Sequence, residues 1–255
     1  MSTQELTSDE PRPGVDGAVP KALSVLEALA RSRSPVRLTA LAHELGIQKS
    51  TVHRILSTLT ELDYVSQDRA TGRYRASLKL WEMGARILAE HPVKRAAAGF
   101  LANLQRATGE TVSLLVRAGD DVLYLEKLVS PRAVRVATRA GSRVPAVLTA
   151  GGKAMLAYAA DARAVGERAA VRIQHPPFDV PAFLRELESI RARGYALSSF
   201  SPGVLSVGAP IGYERPRAAV SVSAARERLT KASQARIVEI TLAACAEMAE
   251  ALGRS

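Results

Sequence analysis

Cysteine is nearly absent: Cys245 is the single thiol in 255 residues, which leaves neither a disulfide framework nor a thiolate metal centre. Aromatic side chains make up 4% of the chain, so its cores must be filled by Leu, Val, Ile and Ala. Histidine occurs only at His43, His53, His91 and His175, and no cluster of ligand type accompanies any of them. No metal and no other cofactor is expected. Apolar runs stay short of the ~18 residues that a membrane-spanning helix needs. The opening stretch MSTQELTSDEPRPGVDG lacks the basic-then-apolar order of a secretory leader. A cytoplasmic protein with no membrane partner is the expectation.

Negative charge is also in deficit, and the chain carries a net charge of +10. The excess is unevenly placed. Residues 1–17 hold 1 basic and 4 acidic side chains, residues 18–91 hold 11 and 7, and residues 92–255 hold 23 and 14. Bulk charge of this kind bears on solubility and non-specific attraction rather than on fold. Most of it lies in the C-terminal two-thirds, so it does not by itself mark a nucleic-acid reader.

What is present has clear periodicity. After a polar tail over residues 1–17, Ala22, Val25, Leu26 and Leu29 recur at helical spacing. A second short helix has Thr39 as a candidate N-cap and Gly46 as its stop. A third runs from about Gln48 to Leu62, with Val52, Ile55, Leu56 and Leu59 forming a stripe to be buried. Its other face offers Lys49, Ser50, Thr51, His53, Arg54, Ser57 and Thr58. Short strands at 64–66 and 73–75 flank a turn-rich tip at 68–72, and a helix with Leu78, Leu80, Met83, Ile87 and Leu88 stops before Pro92.

Beyond that point hairpins and helices alternate without regular βα repetition. A helix over 93–108, a hairpin of 111–116 and 122–127, and a strand at 134–138 come first. Then come a helix opening at Thr149-Ala150-Gly151-Gly152, a helix at 181–193 capped by Gly194, strands at 195–199, 204–211 and 218–223, and a helix over 230–252. This order predicts an α+β fold with an antiparallel sheet.

Two helices joined at a tight glycine and followed by a small hairpin have the spacing of a winged helix-turn-helix. A recognition helix buries one face and turns basic and hydroxyl side chains toward base edges and phosphates. Candidate DNA contacts are Thr39, Gln48, Lys49, Ser50, Thr51, His53 and Arg54, with Arg69 and Arg73 on the wing. A small helical bundle with a solvated polar face would show the same pattern, and periodicity alone leaves both readings open.

Longer stretches narrow the choice. VPKALSVLEAL (19–29), LTALAHELGIQKSTVHRILSTLTELDYV (38–65) and GRYRASLKLWEMG (72–84) resemble the N-terminal domain of IclR-type bacterial regulators. RVPAVLTAGGKAMLA (143–157), ARGYALSS (192–199), PGVLSVGAPI (202–211) and AAVSVSAARERLT (218–230) resemble that family's C-terminal domain, in the family's order. The polar, Pro- and Gly-containing residues 1–17 are expected to form a disordered tail; the resemblance implies a winged helix-turn-helix over 18–76, a linker helix over 77–91 and a GAF-like effector-binding domain over 92–255. It implies a dimer or tetramer on a partly palindromic double-stranded DNA operator, with repression rather than activation expected. The implied effector is a small molecule, an organic acid by analogy.

By the same resemblance, effector contacts fall on the backbone of Ala150 and Gly151, on Ser221 and Ser223, on Ser206 beside Val204, on Ser198, and on Val136 as apolar lining. Ser198-Ser199 stands where relatives carry paired acids, and Val147 where a histidine is common. These departures point away from a small keto or hydroxy acid, and toward either a larger or more apolar acid or a ligand that is not an acid. Two other functions fit parts of the sequence. One is a regulator without an effector, whose C-terminal domain only oligomerises. The other is an enzyme with a fused reader, but His175 alone is free to serve a nucleophile, and no G-x-S-x-G elbow accompanies it.

Overall fold

The computed structural model describes residues 17–132 and 138–253. The chain divides into two compact units that meet between Ala89 and Glu90. None of the described helices is long and apolar enough to cross a membrane.

The first unit holds α1 (Ala18–Arg31), α2 (Leu38–Leu45), α3 (Lys49–Glu61), β1 (Val65–Gln67), β2 (Tyr74–Ala76) and α4 (Leu78–Ala89). One core built from Val25, Ala28, Leu29, Leu41, Val52, Leu56, Val65 and Tyr74 joins α1–α3 to the hairpin. The α2–α3 turn is made by Gly46, whose φ of 62° is left-handed. A side chain there would find open space, so the backbone conformation is what requires glycine. The Ile47 amide then donates to Ala42 O at 3.1 Å, closing the helix end.

β1 and β2 pair antiparallel, Val65 opposite Ala76 and Gln67 opposite Tyr74, and Tyr74 also bridges to Val36. At the hairpin tip, Asp68 accepts from the amides of Ala70 and Thr71. These bonds hold its carboxyl below the usual value. α4 differs from its neighbours because none of its residues is buried.

The second unit is a six-stranded antiparallel sheet with helices on both faces. Its elements are α5 (Pro92–Thr108), β3 (Thr111–Ala118), β4 (Asp121–Leu128), β5 (Arg143–Pro145), α6 (Ala150–Leu156), α7 (Ala162–Arg172), α8 (Val180–Arg193), β6 (Ala196–Ser198), β7 (Val204–Pro210), β8 (Ala218–Ala225) and α9 (Lys231–Gly253). Strand order is β5-β4-β3-β8-β7-β6, so the last strand is laid between two hairpins. α5 and α9 pack on each other and on the sheet, and the Cys245 thiol donates to Ala209 O at 3.6 Å. Burial pushes that thiol up to about 12, which makes it a small apolar filler. α6, α7 and α8 share a core with Leu115, Val122, Tyr124 and Ala219 on the other face.

The predicted elements differ in places from those observed. α2 starts one residue before Thr39, with Arg37 at its N-cap and no side-chain cap bond, so Thr39 lies inside the first turn. α7 and β5 had no counterpart in the sequence reading. The strand expected at 134–138 falls almost wholly outside the described residues.

Candidate functional site

In the first unit the chemistry lies on α3. Val52, Ile55, Leu56 and Leu59 are buried, and the 3.6-residue period turns Lys49, Ser50, His53 and Arg54 outward, all exposed. Gln48 is the exposed N-cap residue, without a side-chain cap bond. Thr51 is half-buried, because it and Arg54 line a groove shared with Lys21 and Ala22 of α1. Two hydroxyls of this helix are engaged within it: Thr58 donates to Arg54 O at 3.1 Å and Ser57 to Glu61 Oε1 at 3.3 Å. Arg69 is exposed at the hairpin tip. Arg73 does not project there. Its guanidinium turns back to Pro35 O at 3.4 Å, beside Arg37 and Thr39 at the start of α2. Its backbone stands at the turn end of the hairpin, where Asp68 N donates to Arg73 O, and the bridge from Tyr74 to Val36 brings that end of β2 against the loop before α2.

In the second unit the sheet face beneath α6 carries the chemistry, and strand register places its residues. Side chains directly opposite each other across an antiparallel sheet share a face. One row therefore runs Thr111, Ser223, Ser206, Ser198 across β3, β8, β7 and β6, giving four hydroxyls in line. The next row runs Lys127, Ser113, Ser221, Gly208, Ala196 from β4 to β6. The third, Tyr124, Leu115, Ala219, Pro210, is mostly apolar. A polar island is thus set into an otherwise hydrophobic face.

α6 begins directly over this island. A Cβ on Gly208 would lie 2.3 Å from Ala150 C and 2.4 Å from Gly151 N, so only glycine lets the helix start rest on β7. Thr149 caps the helix, accepting from the Gly152 amide at 3.0 Å. The Leu115 methyl occupies the space beside Gly151, 2.2 Å from where a Cβ would stand, and seals the start of α6 on its apolar side. Ala150 and Gly151 are both buried.

Ser206 and Ser223 hydrogen-bond to each other at 2.8 Å. Val204 lies on the same face one row beyond, opposite Ala225. Ser221 is 5% exposed and Ser113 3%, and neither hydroxyl bonds to a described residue. Ser198 is committed elsewhere: its hydroxyl donates to Leu148 O at 2.6 Å and accepts from the Phe200 amide at 3.2 Å. It braces the end of β6 against the turn before α6 and has no hydrogen left to offer. Exposed Ser199 accepts from Arg226 at 2.6 Å. Val136 lies outside the described residues.

Four residues of this face escaped the sequence reading: Ser113, Leu115, Tyr124 and Lys127. Lys127 donates to the carbonyl and hydroxyl oxygens of Thr138, and burial holds its ammonium below the usual value. Burial likewise pushes the Tyr124 phenol up to about 12, against the opposing effect of its bond with Thr138. Alternation of Thr111, Ser113 and Leu115 was visible in the sequence. Only the pairing of β3 with β8 identifies the partners of those side chains.

Comparison with known proteins covers the same two units. The IclR helix-turn-helix domain matches residues 18–69, and the C-terminal domain of IclR bacterial transcriptional regulators matches 85–250. The HTH-type transcriptional regulator XynR of Escherichia coli is 30% identical over 92% of this chain and 97% of its own. The crystal structure of an IclR-type regulator from Alicyclobacillus acidocaldarius aligns with a TM-score of 0.79 at 28% identity, covering 92% of this chain and 98% of that one. An IclR homologue from Microbacterium hydrocarbonoxydans, solved with 4-hydroxybenzoate, shares the fold at 21% identity. Its TM-score is 0.79, over 94% of this chain and all of its own. XynR and the Alicyclobacillus protein are described as transcriptional regulators. With both domains matched in order, the chain belongs to the IclR family of DNA-binding transcriptional regulators.

Proposed function

We propose that this chain represses transcription from a partly palindromic operator, which it binds as a dimer or tetramer in the cytoplasm under control of a small organic acid. The reader spans 18–76, the linker helix 77–91 and the sensor 92–255. The observation that carries the reading is the division of α3 into a buried stripe and an exposed face of Lys49, Ser50, His53 and Arg54. Base discrimination is assigned to Arg54 with Thr51, and phosphate contact to Lys49 and Ser50, with Gln48, His53 and Arg69 flanking. Arg73 and Thr39 contribute from the start of α2.

One small reader covers too little DNA for high specificity, and repetition about a two-fold axis is the usual remedy. Leu78, Trp81, Met83 and Ile87 of α4 are all exposed, Leu78 at 76% and Ile87 at 71%. An apolar face of this kind suits a contact between copies.

The sensor site is assigned to Ala150, Gly151, Val204, Ser206, Ser221 and Ser223. A ligand that favours one arrangement of the sensor domains shifts the population competent for DNA. Footprinting on the operator tests the reader: Arg54→Ala removes protection while sedimentation shows the oligomer intact, and unchanged protection would overturn the assignment. For the sensor, organic, aromatic and amino acids are screened for a shift in melting and in operator affinity. If none acts, the second domain only oligomerises.

A further inference from the structure

We infer that the effector is a hydroxylated carboxylic acid of five or six carbons, an aldonate-type molecule, selected by the hydroxyls of Ser113 and Ser221. The inference rests on the sensor site proposed above and specifies its ligand. Neighbouring strands lie about 4.8 Å apart. Measured from Gly208, where α6 begins, Ser221 is one strand away and Ser113 two, so the polar row extends about 10 Å from the helix start. A two-carbon acid held beside Ala150 and Gly151 ends before Ser113. A five- or six-carbon chain reaches it.

The chemistry of the lining chooses among acids of that length. A hydroxyl both donates and accepts, so a lattice of serines matches a row of ligand hydroxyls, whereas an alkyl chain or aromatic ring leaves those oxygens without partners. Ser113 and Ser221 are nine-tenths buried or more and bond to no described residue, and each is aligned with the other across β3 and β8. Along β8, Ser223 continues the lattice toward Ser206. Leu115 closes the site on the opposite side, which directs the ligand over the serines. The apolar acid that the loss of the paired acids suggested would instead leave the hydroxyls of Ser113 and Ser221 facing hydrocarbon without partners.

The test uses the full-length protein titrated with gluconate, hexanoate, glycolate and 4-hydroxybenzoate, read by calorimetry and by the melting transition. Gluconate is expected to bind at least about tenfold more tightly than the other three, the equivalent of one or two additional hydrogen bonds. Ser113→Ala should weaken gluconate about fivefold or more and leave glycolate unchanged, while Ser221→Ala weakens both. The ligand series on the unaltered protein decides the matter even if a variant fails to fold. Hexanoate or 4-hydroxybenzoate binding as tightly as gluconate would overturn the inference and leave the sensor reading standing. No binding by gluconate also overturns it, and the sensor reading falls with it only if the wider acid panel leaves operator binding unchanged.

Discussion

The two units of this molecule present function in opposite ways. In the first, one helix carries the exposed groups, and thirteen consecutive residues, Lys49–Glu61, supply both the buried stripe and the polar face. In the second, the polar island is assembled from β3, β4, β6, β7, β8 and the start of α6, whose contributing residues run from Thr111 to Ser223. A helix brings its functional residues together by local periodicity. A sheet does so only once distant strands have found their register. The first arrangement tolerates change outside one short segment, while the second depends on packing across the whole domain.

That contrast can be tested at its strongest point first. Gly208→Val places atoms where the backbone of Ala150 and Gly151 already stands, and should destabilise the sensor unit by about 3 kcal/mol or more. Calorimetry should then show an early transition for the sensor unit beside an unchanged transition for the reader, whose core is separate. Joint melting of both units would break the comparison.

Next in size, Arg54→Ala should reduce specific operator affinity by about 1–3 kcal/mol, roughly fivefold to more than a hundredfold, through loss of a base contact. Melting of either unit should be unaffected, since Arg54 is exposed. Calorimetry of the variant together with a binding titration checks both halves.

A smaller effect concerns pH. Arg168 makes two bonds to Asp120, at 2.6 and 2.7 Å, and Arg117 two to Asp161, at 2.8 and 2.5 Å. These arginines hold both carboxyls below the ordinary 3.8. Groups with lowered folded-state values contribute stability that is complete above the unfolded value and is lost as pH falls through the folded one. The sensor should therefore lose stability as pH drops below about 3.8. Asp161 and Arg168 are about half exposed, so the two pairs together amount to about 1 kcal/mol. Replacing both arginines by Met should flatten that acid limb, measured by urea melts at a series of pH values. The substitutions should leave the acid response of the first unit unchanged, because there Asp68 is held low by backbone amides.

Smallest of all, Lys49→Ala should weaken binding to every sequence about equally and reduce the slope of log affinity against log salt by about one. A change confined to the operator sequence would move Lys49 from the phosphates to the bases.

The same local and non-local division accounts for which features were legible. The stripe of α3, the Gly46 turn and the Gly194 stop after α8 follow from residue type and spacing alone. α7 was missed because its buried positions are the small residues Ala162, Gly166 and Ala169 beside Val165, which make a faint apolar stripe. β5 was missed because three residues carry too little alternation. Thr39 was misplaced as a cap because an extended Arg37 can begin a helix without a side-chain acceptor. Ser198 was assigned to a ligand from the family pattern, yet its two hydrogen bonds run to Leu148 and Phe200, contacts that only the folded loop creates.

By itself, then, the sequence determined the helices with a strong apolar stripe, the reader with its outward face, and the family. All of these rest on periodicity and on residues close together in the chain. Tertiary structure alone decided that Arg73 turns back to Pro35, that Gly208 seats α6, and that Ser113 joins Ser221 in one row. Each of these depends on which strand lies beside which, and the free energy of strand pairing is spread over the whole sheet rather than written into any one segment.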